Sequence, residues 1–169
     1  VVGAGYSGLS TALHLAEQGH NVAIVEGARI GWGASGRNGG QAVNGLNASL
    51  QTIKRKYGQD TANFAAGLVM EGGEIIRERI KTYDIQCDYK PTNLFTACTD
   101  AHMRELEERL ALWQGYGLNT QEMVSKDQIG EYVGSDMYAG GMIDHAGGHM
   151  HPLNLALGEA DAFEKNGGG

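Results

Sequence analysis

Gly3-x-Gly5-x-x-Gly8, set between the apolar stub Val1-Val2 and a helix-forming segment, constrains this chain more than any other feature. In such a turn the first glycine makes the bend, the second lets backbone N–H groups approach a pyrophosphate, and the third lets helix and strand pack closely. The helix that opens there points its partial positive charge at the phosphates. Residues 7 to 18 supply that helix, with Leu9, Ala12, Leu13 and Ala16 on one face and Gly19 as the stop. Asn21-Val22-Ala23-Ile24-Val25-Glu26 then reads as a short buried parallel strand ending in an acid. Glu26 lies 26 − 8 = 18 residues after Gly8, close to the spacing of about 20 at which an acid meets the adenosine ribose. A lone glycine hexamer is a weak signal in a chain with 27 glycines among 169 residues, and alone it could be a tight turn that binds nothing. Strand, helix and acid together make it a dinucleotide site. A carboxylate on the ribose favours a free 2′-OH and repels the 2′-phosphate of NADP, which leaves FAD and NAD.

A second glycine-rich loop, Gly31-Trp32-Gly33-Ala34-Ser35-Gly36-Arg37-Asn38-Gly39-Gly40-Gln41, decides between them. A nicotinamide fold has no need of it, whereas a flavin laid across the domain needs backbone close to its pyrophosphate and ring. Glu26 followed by Gly33-Ala34-Ser35-Gly36-Arg37-Asn38-Gly39-Gly40 resembles the amino-acid and amine oxidases of the D-amino acid oxidase superfamily, which bind FAD. The segments Glu71 to Arg79, Ile85 to Asp88 and Gly147 to Ala160 carry the resemblance along essentially the whole chain. It implies that Gly3, Gly5, Tyr6, Ser7 and Gly8 surround the FAD pyrophosphate and that Glu26 holds the adenosine ribose. Ala34, Ser35, Arg37, Asn38 and Gly39 would lie along the pyrophosphate and flavin ring. Arg37 also has a direct physical reason, because a cation near flavin or phosphate offsets the negative charge that reduction brings.

The rest of the chain alternates helix and strand signals. Gln41 to Leu50 reads as a helix leaving the second loop. Phe64, Leu68, Ile75, Ile76 and Ile80 keep helical spacing over 60 to 82, and Gly67, Gly72 and Gly73 within it suggest close packing. Ile85 to Tyr89 and Leu94 to Cys98 read as two strands. Asp100 is the expected N-cap of an amphipathic helix carrying Met103, Leu106, Leu110 and Trp113. Ser125-Lys126-Asp127-Gln128 fits a capping box, residues 137 to 143 a further strand, and Pro152 the first turn of a helix to Lys165 capped by Asn166 and Gly167. The fold class is α/β, α+β overall: a discontinuous Rossmann-like FAD-binding domain made of parts 1–48 and 144–169, with an incomplete mixed substrate-side lobe over 49–143. The chain is read as a piece of a larger two-domain fold, lacking most of its first strand and the strand after Gly169, and as inactive alone.

Charge and composition exclude other classes. Thirteen basic against twenty acidic residues give a net charge of −7, so the basic field that steers proteins to nucleic acid is missing. No apolar run approaches the roughly 20 residues of a membrane span. Cys87 and Cys98 form neither a metal-type pair nor a disulfide framework and read as small residues buried in strands; the expected compartment is the cytoplasm. His149 and His151 lack a third ligand nearby, so no metal site is expected. The resemblance implies oxidative deamination of a small-molecule amine, with oxygen as the final acceptor and peroxide as product. The amine must shed its proton first, in a pocket of low polarity. No residue is assigned a catalytic role. The rivals are another oxidase or dehydrogenase of the same superfamily acting on sarcosine, glycine or a D-amino acid, and a non-catalytic dinucleotide-binding module.

Overall fold

In chain order, the computed structural model of residues 1–169 contains α1 (Tyr6–Glu17), a 3-10 turn (Ala34–Gly36), β1 (Gln41–Ala42), α2 (Leu50–Tyr57), α3 (Gln59–Thr82), β2 (Lys90–Ala97), α4 (Asp100–Gly115), β3 (Gln121–Val124), α5 (Lys126–Ile129), β4 (Gly140–His149) and α6 (Pro152–Lys165). They form two compact units. One is built from Val1–Gln41, Ile75–Lys90 and His149–Gly169, the other from Ala42–Glu74 and Pro91–Gly148.

The first unit is organised by α1. Its buried stripe, Leu9, Ala12, Leu13 and Ala16, packs on Ala156, Ala160, Ala162 and Phe163 of α6, with Val22, Ile24 and Tyr83 closing the edges. Small residues on both helices let the axes approach. Burial of Leu9 and Leu13, 1% and 0% exposed, contributes about 1.5–3 kcal/mol each. The Val1–Gly3 and Val22–Val25 segments run parallel, with the Gly3 amide donating to the Val25 carbonyl at 2.8 Å and the Val25 amide to the Val1 carbonyl at 3.0 Å. Gly169 pairs with the other edge, through the Ile24 amide at 2.8 Å and the Val22 carbonyl at 3.3 Å. The expected strand over 21–26 is therefore present as a bridge between Val2 and Val25 and a short ladder. Only Val22 and Ile24 face the core, while Val2 and Val25 are 89% and 62% exposed. His151 is the N-cap of α6, its Nδ1 accepting from the Asn154 amide at 3.2 Å.

In the second unit β4 lies between β1 and β2 and also pairs antiparallel with β3, with Gln121 opposite Asp144 and Val124 opposite Gly141. Leu50, Ala66, Trp113 and Leu118 form one core cluster, and Val124, Ile129 and Ile143 another. Asp144 is fully buried at the centre of a polar network. Its carboxylate accepts from Asn44 Nδ2 and Gln121 Nε2 at 3.0 Å each, from the Ala146 amide at 3.0 Å and from the Thr120 hydroxyl at 3.2 Å.

Several local expectations need correction. Gln41 to Leu50 is not a helix: β1 gives way to a loop, and α2 starts at Leu50 behind Ser49, whose hydroxyl accepts from the Thr52 amide at 3.2 Å. Ile85 to Tyr89 is not a strand, because Asp84 and Asp88 take left-handed φ values of 48° and 52° that break extension. The later strand starts at Gly140 and runs to His149 rather than spanning 137 to 143. Thr99, not Asp100, caps α4 by accepting from the His102 amide at 3.2 Å. Neither cysteine lies in a strand, and Cys98 is exposed. Gly67 and Gly72 face open space, so close packing does not explain them. The capping box at α5 is as expected, the Gln128 side chain accepting from the Ser125 amide at 3.1 Å.

Candidate functional site

The N-terminus of α1 is built from the two glycine loops together. Gly3 has φ +94°, which L side chains rarely adopt. A Cβ on Gly8 would run into the Gly3 carbonyl, so only glycine lets the helix start against that strand. A Cβ on Gly5 would lie 3.0 Å from the Ser35 hydroxyl. That hydroxyl comes from the second loop and accepts from the Tyr6 amide at 3.0 Å. The first intrahelical bond joins the Leu9 amide to the Gly5 carbonyl at 2.9 Å, so the amides of Gly5, Ser7 and Gly8 have no acceptor in the helix and face outward with its positive end.

Glu26 stands beside this turn at the end of its segment. One carboxylate oxygen accepts from the Ala4 amide at 2.7 Å and the other from the Ala28 amide at 2.8 Å. These bonds, Ala4 first, hold its pKa below the ordinary carboxylate range. Each carboxylate oxygen has two lone pairs, so the exposed side chain can still accept from ribose hydroxyls.

The second loop turns through Ala34–Gly36 and is braced from within. Asn38 Nδ2 donates to the Ala34 and Ser35 carbonyls at 3.1 and 2.8 Å, and its Oδ1 accepts from the Gly40 amide at 2.7 Å. Arg37 Nε donates to the Gly33 carbonyl at 3.2 Å, and its guanidinium sits 5.4 Å from the Trp32 ring centroid, with Arg29 at 5.8 Å. The Tyr6 hydroxyl donates to the Pro152 carbonyl at 2.8 Å. Burial holds that phenol above its ordinary pKa, against a lowering by Asn38.

The structure thus brings Gly3, Gly5, Tyr6, Ser7, Gly8, Glu26 and Ser35 around one helix end. Ala34, Arg37, Asn38 and Gly39 are exposed on the braced loop that carries Ser35. Open amides, absent side chains at the closest approach and a terminal acid fit a dinucleotide pyrophosphate and its ribose. No group of three or more His, Cys, Asp or Glu residues is placed to hold a metal ion. No helix is long and apolar enough to cross a membrane.

Sequence reasoning missed Arg79, which ties the helices behind the site. It is 5% exposed and donates to the Ser10 hydroxyl at 2.8 Å, to Glu17 at 3.3 Å and to buried Glu159 at 3.5 Å. A signal was available: Glu159 is four residues from both Leu155 and Phe163, on the buried stripe of α6. An acid on such a stripe needs a partner.

Comparison with known proteins agrees with this geometry. The profile of a family described as "DAO: FAD dependent oxidoreductase" matches residues 1–169. The gamma-glutamylputrescine oxidoreductase of Escherichia coli (strain K12) is 54% identical over 168 residues, 99% of this chain and 39% of that protein. The probable oxidoreductase OrdL of Haemophilus influenzae is 42% identical over 163 residues, 96% of this chain and 38% of that protein. The chain therefore spans about two fifths of the length of these curated relatives. Among solved structures, glycine oxidase from Geobacillus kaustophilus superposes with a TM-score of 0.76 at 21% identity, covering 99% of this chain and 44% of that one. L-amino acid deaminase from Proteus myxofaciens gives 0.80 at 17% identity, covering 99% and 36%. At such identities these two likenesses speak for the fold alone.

Proposed function

Because the chain belongs to the DAO family of FAD-dependent oxidoreductases, we propose that its protein oxidatively deaminates a primary amine, gamma-glutamylputrescine, to an aldehyde. The observation that carries this reading is the 54% identity to a relative named for that compound. In balance, R–CH2–NH2, O2 and water give R–CHO, NH3 and H2O2. FAD, when bound, supplies acceptance of the hydride from the carbon bearing the amine and passage of the electron pair to oxygen.

The geometry supports the following roles for this chain's residues. The unit containing Val1–Gln41 and His149–Gly169 is the FAD-binding domain, and the unit containing Pro91–Gly148 belongs to the substrate side. Gly3, Gly5, Tyr6, Ser7 and Gly8 present backbone to the pyrophosphate. Ser35 clamps the second loop to the Tyr6 amide and keeps the two loops in register. Ala34, Arg37, Asn38 and Gly39 line the path toward the ring, with Asn38 rigidifying the turn. Glu26 accepts from the ribose hydroxyls and pins the Ala4 amide.

Glu26→Ala should lower the flavin-to-protein absorbance ratio that survives dialysis of the full-length protein, and Glu26→Gln should lower it less because an amide oxygen still accepts. An unchanged ratio in both variants would remove Glu26 from the cofactor site.

Peroxide release by the full-length protein tests the reaction itself. Gamma-glutamylputrescine should give a higher kcat/KM than free putrescine, which lacks the head group that contributes binding energy. A preference for sarcosine, glycine or D-alanine would replace the substrate while leaving the flavin oxidase standing. A colourless protein that binds NAD would end the flavin assignment.

A further inference from the structure

The second unit holds a cation that the cofactor site does not use. Arg109, Leu112 and Trp113 lie on one face of α4 and form a wall of an open cavity of about 460 Å³, lined also by Val43, Leu46 and Leu50. That volume is within the range of roughly 300–1,000 Å³ typical of small-molecule sites. Apart from Arg109 and Ser49, the lining side chains are apolar.

Arg109 is half-buried, and burial pushes its pKa down while the charge of Asp144 draws it back up. Asp144 is not its ion-pair partner. Arg109 takes no part in the ion pairs His14–Glu17, Arg79–Glu17, Arg79–Glu159 and His145–Glu122. Asp144 spends its acceptors on Asn44, Gln121, Thr120 and Ala146.

The guanidinium is nevertheless held in place. Nη2 donates to the Asn44 carbonyl at 3.1 Å, and the Phe95 ring centroid lies 4.3 Å from the guanidinium carbon. The Asn44 side chain is fixed in turn by Asp144. Phe95 and Asn44 thus set the orientation of the fork and leave Nε and Nη1 without an acceptor in the protein. A partly desolvated, pre-oriented guanidinium with no carboxylate in contact with it is built for a planar oxyanion that pairs with two N–H groups. A single cation among Val, Leu and Trp suits a singly charged head on an aliphatic stem better than a phosphate, which needs several donors.

We propose that this cavity binds an organic carboxylate with a short aliphatic chain, its head on Arg109 and its methylenes against Leu46, Leu112 and Trp113. The carboxylate is either the substrate's own or that of a free acid, and these two sources are separable by experiment.

Calorimetric titration of the flavin-loaded full-length protein with hexanoate and with hexylamine tests the site without relying on turnover. Hexanoate should bind and hexylamine should not. Arg109→Met should weaken hexanoate by about 10- to 100-fold, the loss expected when charge-assisted hydrogen bonds are removed, and Arg109→Lys should fall between. Leu46→Trp, a change at a side chain 43% exposed, should block the cavity without touching the cation, which keeps the test decisive if Arg109→Met folds poorly. Absence of hexanoate binding to the wild type, equal binding to Arg109→Met, or equal binding of hexylamine would overturn the proposal. If hexanoate binds as expected, the KM values of Arg109→Met identify the source. A rise for gamma-glutamylputrescine with none for putrescine assigns the carboxylate to the substrate, and no change in either assigns it to a free acid. If no amine is turned over, the proposed reaction fails, while the calorimetry still decides the site.

Discussion

Arg79→Met should destabilise the protein by about 3–5 kcal/mol near neutral pH, because it leaves the buried Glu159 carboxylate without its counter-ion. Arg79 and Glu159 are 5% and 4% exposed, and their nitrogen and oxygen stand 3.5 Å apart. The second partner, Glu17, has a side chain 30% exposed and can rehydrate; Glu159 cannot. Burial already raises the Glu159 pKa, opposed chiefly by the Arg79 charge. Removing that charge lets the pKa climb further. A raised folded-state pKa gives stability that is present below the unfolded carboxylate value and lost as pH rises through the folded one. The deficit of Arg79→Met should therefore be small at pH about 5 and grow toward pH about 8. Arg79→Met/Glu159→Leu should recover most of it, since a neutral pair leaves no orphan charge. Chemical denaturation across that range checks the slope. A deficit independent of pH, or a double variant no better than the single, would mean that Arg79 acts by packing alone.

What was legible in the sequence follows from how local each demand is. The glycines at 3 and 8 answer constraints set within a few residues, the turn at Gly3 and the Gly3 carbonyl against Gly8, so the fingerprint and the start of α1 could be read directly. The same holds for the start of α6, where Pro152 occupies the first turn. The 41–50 segment is different. Its course depends on Asn44, whose side chain bonds Asp144 one hundred positions away and whose carbonyl takes Arg109; neither partner is visible from neighbouring residues. Ile85 to Tyr89 has the composition of a strand, yet the left-handed Asp84 precedes it and the left-handed Asp88 lies within it, and the Ile85 amide closes on the Ile80 carbonyl at 2.9 Å as a helix end. The Ser35 clamp was half legible. The second loop could be placed near a cofactor by resemblance, but its tie to the Tyr6 amide spans 29 positions and emerges only from the fold.

Gly8→Ala should strip the flavin from the full-length protein, lowering FAD affinity by at least about a hundred-fold. The added Cβ meets a main-chain carbonyl, that of Gly3, and not a movable side chain. Either the helix start retreats or the Gly3 turn opens, and Gly3 is already committed to φ +94° with its amide on the Val25 carbonyl. Retreat of the helix displaces the Gly5, Ser7 and Gly8 amides and pulls the Tyr6 amide away from Ser35. Losing two charge-assisted hydrogen bonds to a pyrophosphate, at roughly 1.5–3 kcal/mol each, accounts for a change of that size. The fold should survive with a cost of about 1–3 kcal/mol, the usual result of overpacking, so colour is lost before structure is. Gly72→Ala is the matching control. It lies inside α3 with no heavy atom within 4 Å of the added Cβ, and should keep full flavin while gaining up to about 1 kcal/mol from helix propensity. Absorbance ratios after dialysis, read beside far-ultraviolet dichroism, separate the two cases. A yellow, stoichiometric Gly8→Ala protein would show that this helix end does not hold the pyrophosphate.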